Sequence, residues 1–462
     1  MSYGSIIAAI STPSGKGGVA LIRVSGEGAI ELCEKAFIPK SKIPLSKAKP
    51  RTLVYGDIIK NGEIIDDGMA AIFKAPASYT GEDTVEITCH GGLLITERVL
   101  ESILVLGAKL AERGEFTERA FINGKLSLTD AEAIGNLLEA KSDEQIKLAS
   151  GGAREKLSSA IGELRKELTS LLASIFARID YPDEDLGDFT NEETLESLIN
   201  IKESIDTLLS TYPTAKAINE GVRTVICGKT NVGKSSLYNA ILCEDAAIVT
   251  DIEGTTRDVL SSEISLGKVM LKLSDTAGVR DTSRADTVEK IGIERSIAAL
   301  KSAELIIAVF DGSRSLDGDD EELISKLKEA SGAKIAVINK ADLESKIDKG
   351  RFSDFDSVLE ISAKEEPAKA KTKISEVVNR LFIDEKIRPG EEAVITSARQ
   401  NSALISSREY VNAAITALRA GEFTDAAASE IELALGKLSE LDGKAVAEEV
   451  LSEIFDKFCV GK

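Results

Sequence analysis

The segment Gly228-Lys229-Thr230-Asn231-Val232-Gly233-Lys234-Ser235 is a short glycine-bounded loop followed at once by an amine and a hydroxyl. Such a loop turns backbone N–H groups toward an anion, and the positive end of a following helix adds to the attraction. The setting agrees, since residues 222–227 form an apolar, strand-like run and residues 234–242 read as a helix. Lys234 is therefore expected on the β- and γ-phosphates of a nucleoside triphosphate, and Ser235 on Mg²⁺. By itself this loop leaves ATP and GTP equally open.

Asn339-Lys340-Ala341-Asp342 and Ser362-Ala363-Lys364 decide between them. A carboxylate only accepts hydrogen bonds, so Asp342 suits a base edge with two adjacent donors. Guanine has such an edge in its ring N–H and amino group, and adenine does not. Because a buried polar group without a partner costs roughly 1–3 kcal/mol, the selection is strong. Ala363 is placed to give its backbone N–H to the guanine carbonyl. Gly254-Thr255-Thr256 and Asp275-Thr276-Ala277-Gly278 lie between these motifs, beside further apolar runs at 269–273, 305–310, 334–338 and 358–361. Each short motif alone reads as an ordinary turn or strand exit; all of them in this order read as a GTP site.

The expected nucleotide contacts are Asn231, Val232, Gly233, Lys234, Ser235 and Ser236 in the phosphate loop. Thr250, Asp251, Ile252, Glu253, Gly254, Thr255 and Thr256 follow, then Asp275, Thr276, Ala277 and Gly278, and finally Asn339, Lys340, Asp342, Ser362, Ala363 and Lys364. Phosphoryl transfer needs positioning and charge neutralisation more than covalent chemistry. Asp275, at a strand end, can steer Mg²⁺ through water, and Gly278 leaves room for its N–H to meet the γ-phosphate. Thr256 or its neighbour Thr255 completes the Mg²⁺ shell when residues 251–258 close over the nucleotide. Val279 stands where many GTPases carry a water-orienting glutamine, and valine has no group for that task. Asn231 offers an amide oxygen to a monovalent cation at the place an arginine finger fills elsewhere. It reads equally well as a turn residue.

Several elements must carry these residues. At 462 residues, 43% of them apolar, the chain allows roughly three domains with well-formed cores. Residues 1–120 alternate strand-like runs (6–10, 19–24, 52–59, 69–73, 85–89) with a helix near 93–106, an α+β pattern. From 129 to about 211, and again beyond Arg399, apolar residues recur three or four apart, as in Ile431, Leu435 and Leu438. Helical stretches on both sides of the GTP motifs predict one helical domain interrupted by an inserted α/β domain. Residues 364–373 are polar and predict a loose connection.

The net charge of −20 opposes broad nucleic-acid binding, so any RNA contact must be local or shared with a partner. Lys40, Lys42, Lys47, Lys49 and Arg51 form the one basic cluster, which reads as a solvated loop. No stretch is long and apolar enough to span a bilayer, and the start Met-Ser-Tyr-Gly has no leader pattern, which predicts a soluble, cytoplasmic protein without membrane association. The five cysteines (Cys33, Cys89, Cys227, Cys243, Cys459) form no C-x-x-C pair, against a zinc site or a disulfide framework. His90 is the only histidine, which argues against a Ser-His-Asp mechanism and suits a structural role before Gly91-Gly92.

Further segments carry a resemblance. Thr12-Pro13-Ser14-Gly15-Lys16-Gly17-Gly18, Tyr79-Thr80-Gly81-Glu82-Asp83, Gly114-Glu115-Phe116-Thr117-Glu118-Arg119-Ala120-Phe121, Gly254-Thr255-Thr256-Arg257-Asp258 and Phe458-Cys459-Val460-Gly461-Lys462 together resemble the MnmE (TrmE) family of tRNA-modification GTPases, from one end of the chain to the other. The resemblance implies an N-terminal α+β folate-binding and dimerisation domain (1–120) and a helical domain in two parts (121–217 and 385–462). Between those parts it implies an inserted, Ras-like P-loop GTPase domain with a mostly parallel sheet (218–384). It implies a homodimer that works with the FAD-dependent MnmG (GidA), in a heterotetramer or larger complex, on tRNA. The product would be an aminomethyl or carboxymethylaminomethyl group at the 5-position of the wobble uridine, its carbon drawn from 5-formyl- or methylene-tetrahydrofolate. GTP hydrolysis, stimulated when two G domains meet around K⁺, would drive the cycle.

On the family pattern, Asn231 with backbone oxygens of Thr250, Ile252 and Thr255 holds K⁺, and Glu289 orients water through a second water, filling the place Val279 leaves. Without the family, Glu289 is an exposed helix acid. The pattern gives Glu289, Lys234 and Asn231 the catalytic roles and brings Arg23, Glu82, Lys125 and Lys462 to the folate. Cys459 falls where the chain's end approaches that site. The sequence departs from the pattern at Lys229-Thr230, where an Arg-Pro pair is common, and in the longer stretch 281–286. Two other readings share the GTP motifs. A K⁺-dependent GTPase of ribosome assembly predicts an RNA-binding appendage beside the G domain, and a regulatory switch predicts slow turnover indifferent to K⁺.

Overall fold

The structure is a computed structural model and describes residues 4–180, 191–242, 262–273, 300–420, 424–443 and 448–462. The chain divides into two compact units, Met1–Gly135 with Glu432–Lys462, and Asn136–Ile431.

The first unit is built on seven strands: β1 (Ile7–Ile10), β2 (Val19–Ser25), β3 (Phe37–Pro39), β4 (Leu53–Lys60), β5 (Glu63–Phe73), β6 (Thr84–His90) and β7 (Lys109–Leu110). They lie in the order β3-β4-β5-β6-β2-β1-β7, antiparallel except where β7 joins β1. Strand side chains alternate between faces, so Ala20, Ile22 and Val24 of β2 enter one core with Val85, Ile87 and Ile72. The helix Leu93–Val105 covers that core through Val99 and Ile103. Fully burying each such Ile or Val contributes roughly 1.5–3 kcal/mol. Leu21, Arg23 and Ser25 point to the opposite face by the same alternation. There Ile7, Ala9, Ala111 and Phe116 make a second, smaller core, with Tyr79 packed against it.

The chain's last residues belong to this unit. Ile454, Phe455 and Phe458 pack with Leu128 and Ala131, and Val460 makes an antiparallel bridge with Arg113. Gly461 has φ of 97°, a region that favours glycine, and a Cβ added there would collide with the carbonyl of Ile10.

The second unit holds a six-stranded sheet of β8 (Val222–Cys227), β9 (Ser262–Leu266), β10 (Val269–Leu273), β11 (Leu305–Asp311), β12 (Ala333–Asn339) and β13 (Ser357–Glu360). Its order is β13-β12-β11-β8-β10-β9, with every pairing parallel except the β9–β10 hairpin. β11 and β12 read as unbroken apolar runs because helices cover both faces of a parallel sheet. Long helices Gly151–Asp180, Asn191–Asn219 and Ala398–Ala420 accompany it. Two of these, widely separated in sequence, are tied by Arg408 to Asp206 at 3.1 Å, and the Ile395 N–H donates to Thr211 Oγ1 at 3.1 Å.

One expectation fails. Residues 364–373 are not a loose connection, because the helix Pro367–Phe382 covers most of them. Proline at a helix start forfeits no hydrogen bond, and Ala370, Ile374, Val377 and Val378 bury one stripe. The lysines that make the segment look like a linker occupy the other face, and the apolar period shows only in a longer window. Among the described residues, no helix is long and apolar enough to cross a membrane. Cys33 and Cys89 are buried, Cys227 half-buried and Cys459 exposed; Cys243 lies outside the described residues. His90 is the exposed end of β6, with its Nδ1 2.7 Å from Asp66.

Candidate functional site: a nucleotide cleft and an N-terminal polar cluster

The phosphate loop leaves β8 between its neighbours β10 and β11 and enters the helix Lys234–Leu242, at the carboxyl end of the parallel strands where such sheets bind ligands. Val232 is buried and anchors the loop to the sheet core, while Asn231 and Ser235 are exposed. Asn231 has φ of 62°, in the left-handed region that asparagine tolerates better than most residues. Lys234 Nζ donates to the carbonyls of Gly228 at 2.9 Å and Lys229 at 2.6 Å. Burial pushes its ammonium below the usual lysine value. A desolvated cation held by neutral carbonyls is a fit receptor for phosphate oxygens.

The residues expected to recognise the base converge on the same loop. Asn339, buried at the end of β12, donates from Nδ2 to the Val232 carbonyl at 2.9 Å and accepts from the Ala363 N–H at 3.0 Å. One side chain thus joins the phosphate loop, β12 and the turn after β13. Gly233, with φ of 98°, lets Asn339 approach, since a Cβ there would collide with its amide nitrogen. Ser362 Oγ donates to Asp342 Oδ1 at 2.5 Å, leaving that exposed carboxylate further acceptor capacity. Lys340 has φ of 64° and bonds Asp311 at 2.6 Å. Burial alone would raise the Asp311 carboxyl, but hydrogen bonds from Lys340 and Ser313 outweigh it and the value falls below the usual range. Lys364 is exposed and faces Glu365 at 3.6 Å, and Ser236 lies half-buried in the first turn of the helix.

Thr250, Asp251, Ile252, Glu253, Gly254, Thr255, Thr256, Asp275, Thr276, Ala277, Gly278 and Glu289 lie outside the described residues. Sequence reasoning missed Asp311, whose signal was an acid closing an apolar strand. It also missed the partners of Lys229, which reaches Asp317 at 2.8 Å and Asp319 at 2.7 Å. No motif pointed to those two.

The N-terminal candidates gather on the second face of the first sheet. Arg23 pairs with its cross-strand neighbour Glu86 at 2.9 Å, and its guanidinium lies 5.3 Å from the Tyr79 ring centre and 5.7 Å from that of Phe116. Glu82 accepts from Ser25 Oγ at 2.8 Å and from Arg119 at 3.2 Å. Lys125 donates to the Pro76 carbonyl at 2.9 Å and packs over Gly81, beside Glu82. The Lys462 carbonyl accepts from the Phe116 N–H at 3.2 Å, and that of Gly461 from Ser11 Oγ at 2.8 Å. Contacts thus link Arg23, Tyr79, Phe116 and the Lys462 backbone in one set, and Ser25, Glu82 and Arg119 in another. Arg119, in the segment Gly114-Glu115-Phe116-Thr117-Glu118-Arg119, is fully buried.

A mostly parallel sheet with a phosphate loop at its switch point and the Asn339–Asp342 motif beside it is the arrangement of a P-loop GTPase. A family profile described as MnmE helical domain matches residues 128–459, and one described as GTP-binding protein TrmE N-terminus matches residues 6–125. The chain is similar to the tRNA modification GTPases MnmE of Clostridioides difficile (strain 630), at 39% identity over 99% of both chains, and of Carboxydothermus hydrogenoformans, at 40% over 99% of both. The chain belongs to the MnmE (TrmE) family of tRNA modification GTPases.

Proposed function

We propose that this chain is a K⁺-dependent GTPase that works as a homodimer with an FAD-dependent MnmG-type partner, installing an aminomethyl or carboxymethylaminomethyl group on the wobble uridine of tRNA. The carbon comes from a tetrahydrofolate bound in the N-terminal unit. The observation that carries this reading is the seating of Gly461 and Lys462 on Ser11 and Phe116, beside Arg23. A GTPase that only hydrolysed nucleotide would have no use for seating residues 450 positions apart against an arginine stacked on two aromatic rings. These groups suit a folate: a cation over aromatic rings answers carboxylates and a flat heterocycle, and a carboxylate answers N–H donors.

In the cleft, Asn339, Ala363 and Asp342 select the guanine, and Lys234 takes the phosphates. Mg²⁺ on Ser235 and Thr256, and K⁺ on Asn231 with the carbonyls of Thr250, Ile252 and Thr255, would supply positive charge where negative charge builds on the phosphoryl group. Glu289 orients the water. The segments 1–120, 121–217, 218–384 and 385–462 act as the folate, helical, GTPase and second helical parts. Mass spectrometry of wobble nucleosides in tRNA from cells lacking this protein tests the reading. Loss of the 5-substituted uridine is expected, and its persistence at normal levels would refute the reading.

A further inference from the structure

Arg119 stands in the middle of the helix Glu115–Ile122 with no exposed surface. Its Nε and Nη2 donate to Glu115 Oε1 at 3.2 and 2.7 Å, and its Nη1 donates to the Ser5 carbonyl at 3.0 Å. Two sides of a planar, rigid group are thereby fixed. The same Nη1 reaches both oxygens of Glu82, at 3.3 and 3.2 Å. Glu82 is only 17% exposed at its side chain. Ser25 donates to one of its oxygens at 2.8 Å, and the preceding turn is tied by Asn123 Nδ2 to the Thr80 carbonyl at 2.8 Å.

Burying an arginine with two carboxylates is a poor way to gain stability, since the desolvation penalty offsets most of the attraction. It is an effective way to hold one carboxylate in a single orientation. An ionised carboxylate has about four lone-pair sites, and the long contacts from Arg119 leave Glu82 able to accept from a ligand. We propose that Arg119 is a positioning residue for the N-terminal ligand site, fixing Glu82 so that its free lone pairs meet the N–H donors of a reduced folate. This inference rests on the folate reading given above. Arg119 touches no ligand; it acts through Glu82.

Calorimetry with 5-formyltetrahydrofolate on the full chain tests it by a double-mutant cycle. Arg119→Lys keeps the charge but loses the fork, and is expected to weaken binding by about tenfold while GTP affinity stays unchanged. In a Glu82→Gln background, itself weakened, Arg119→Lys should add no further loss, because the group it positions has gone. Additive losses, or no loss from Arg119→Lys, would overturn the positioning role while the folate reading stood. No binding by the unsubstituted protein would remove the folate reading and this inference with it. Should Arg119→Lys fail to fold, Glu115→Gln loosens the same arginine from its anchor. A smaller loss that again disappears in the Glu82→Gln background is expected, and additivity there counts against the proposal in the same way.

Discussion

Among the described residues Lys234 is a half-buried cation held by two carbonyls, and a triphosphate brings the countercharge that suits it. Replacing it with alanine should abolish measurable GTP turnover and weaken nucleotide binding by at least about tenfold, as loss of a charge-assisted hydrogen bond implies; fluorescence titration with a labelled GTP analogue checks this. Asp342 is a sharper test, because Asp342→Asn exchanges an acceptor for a donor without changing shape. GTP affinity should fall by about 10- to 100-fold, and xanthosine triphosphate, which carries a carbonyl where guanine has its amino group, should gain. Competition binding of the two nucleotides reads the exchange, and an unchanged preference would remove Asp342 from base recognition. Both residues were legible in the sequence because motif spacing encodes their chemistry. Asp311 and Arg119 were not, since the pairings of Asp311 with Lys340 and of Arg119 with Glu82 join residues 29 and 37 positions apart.

Between elements, the Lys229 ion pair ties the phosphate loop to the start of the helix Gly318–Lys328, where Asp317 is the N-cap and accepts from the N–H groups of Asp319 and Asp320. The hydrogen bond from Lys229 lowers the Asp317 carboxyl to about 2, against an ordinary value of 3.8. A carboxyl lowered by folding adds stability above its unfolded value and loses it as pH falls toward the folded one. Asp317→Asn should therefore lower the urea midpoint at pH 7, and the gap from the parent protein should close between pH 4 and pH 2. A gap independent of pH would show that the charge pairing of Asp317 with Lys229 is not its source. At the other end of the chain, Gly461→Ala drives a methyl group into the Ile10 carbonyl. Faster trypsin cleavage near the C-terminus is the expected readout, with GTP binding unaffected. Most strands and most helices were readable from apolar period alone, whereas the short strands Phe37–Pro39, Lys109–Leu110 and Ser262–Leu266 were not. The helix Pro367–Phe382 was not, because its charged face fills the window that a short reading samples.

For the whole molecule, hydrolysis is proposed to need K⁺ and the meeting of two G domains. Turnover per chain should then rise with protein concentration in K⁺ and fall at least about tenfold when Na⁺ replaces it; steady-state phosphate release measures both, and equal rates in the two salts would remove the cation role of Asn231. Taken alone, the sequence determined the nucleotide and the family. Base selection and phosphate binding depend on functional groups at short, ordered spacings, and those survive in one dimension. Tertiary structure alone decided which distant groups share a surface: Asn339 with Val232 and Ala363, Arg119 with Glu82, and Lys462 with Phe116. Such pairings depend on sheet order and on the burial that makes an unsatisfied polar group costly, and neither is written in local spacing.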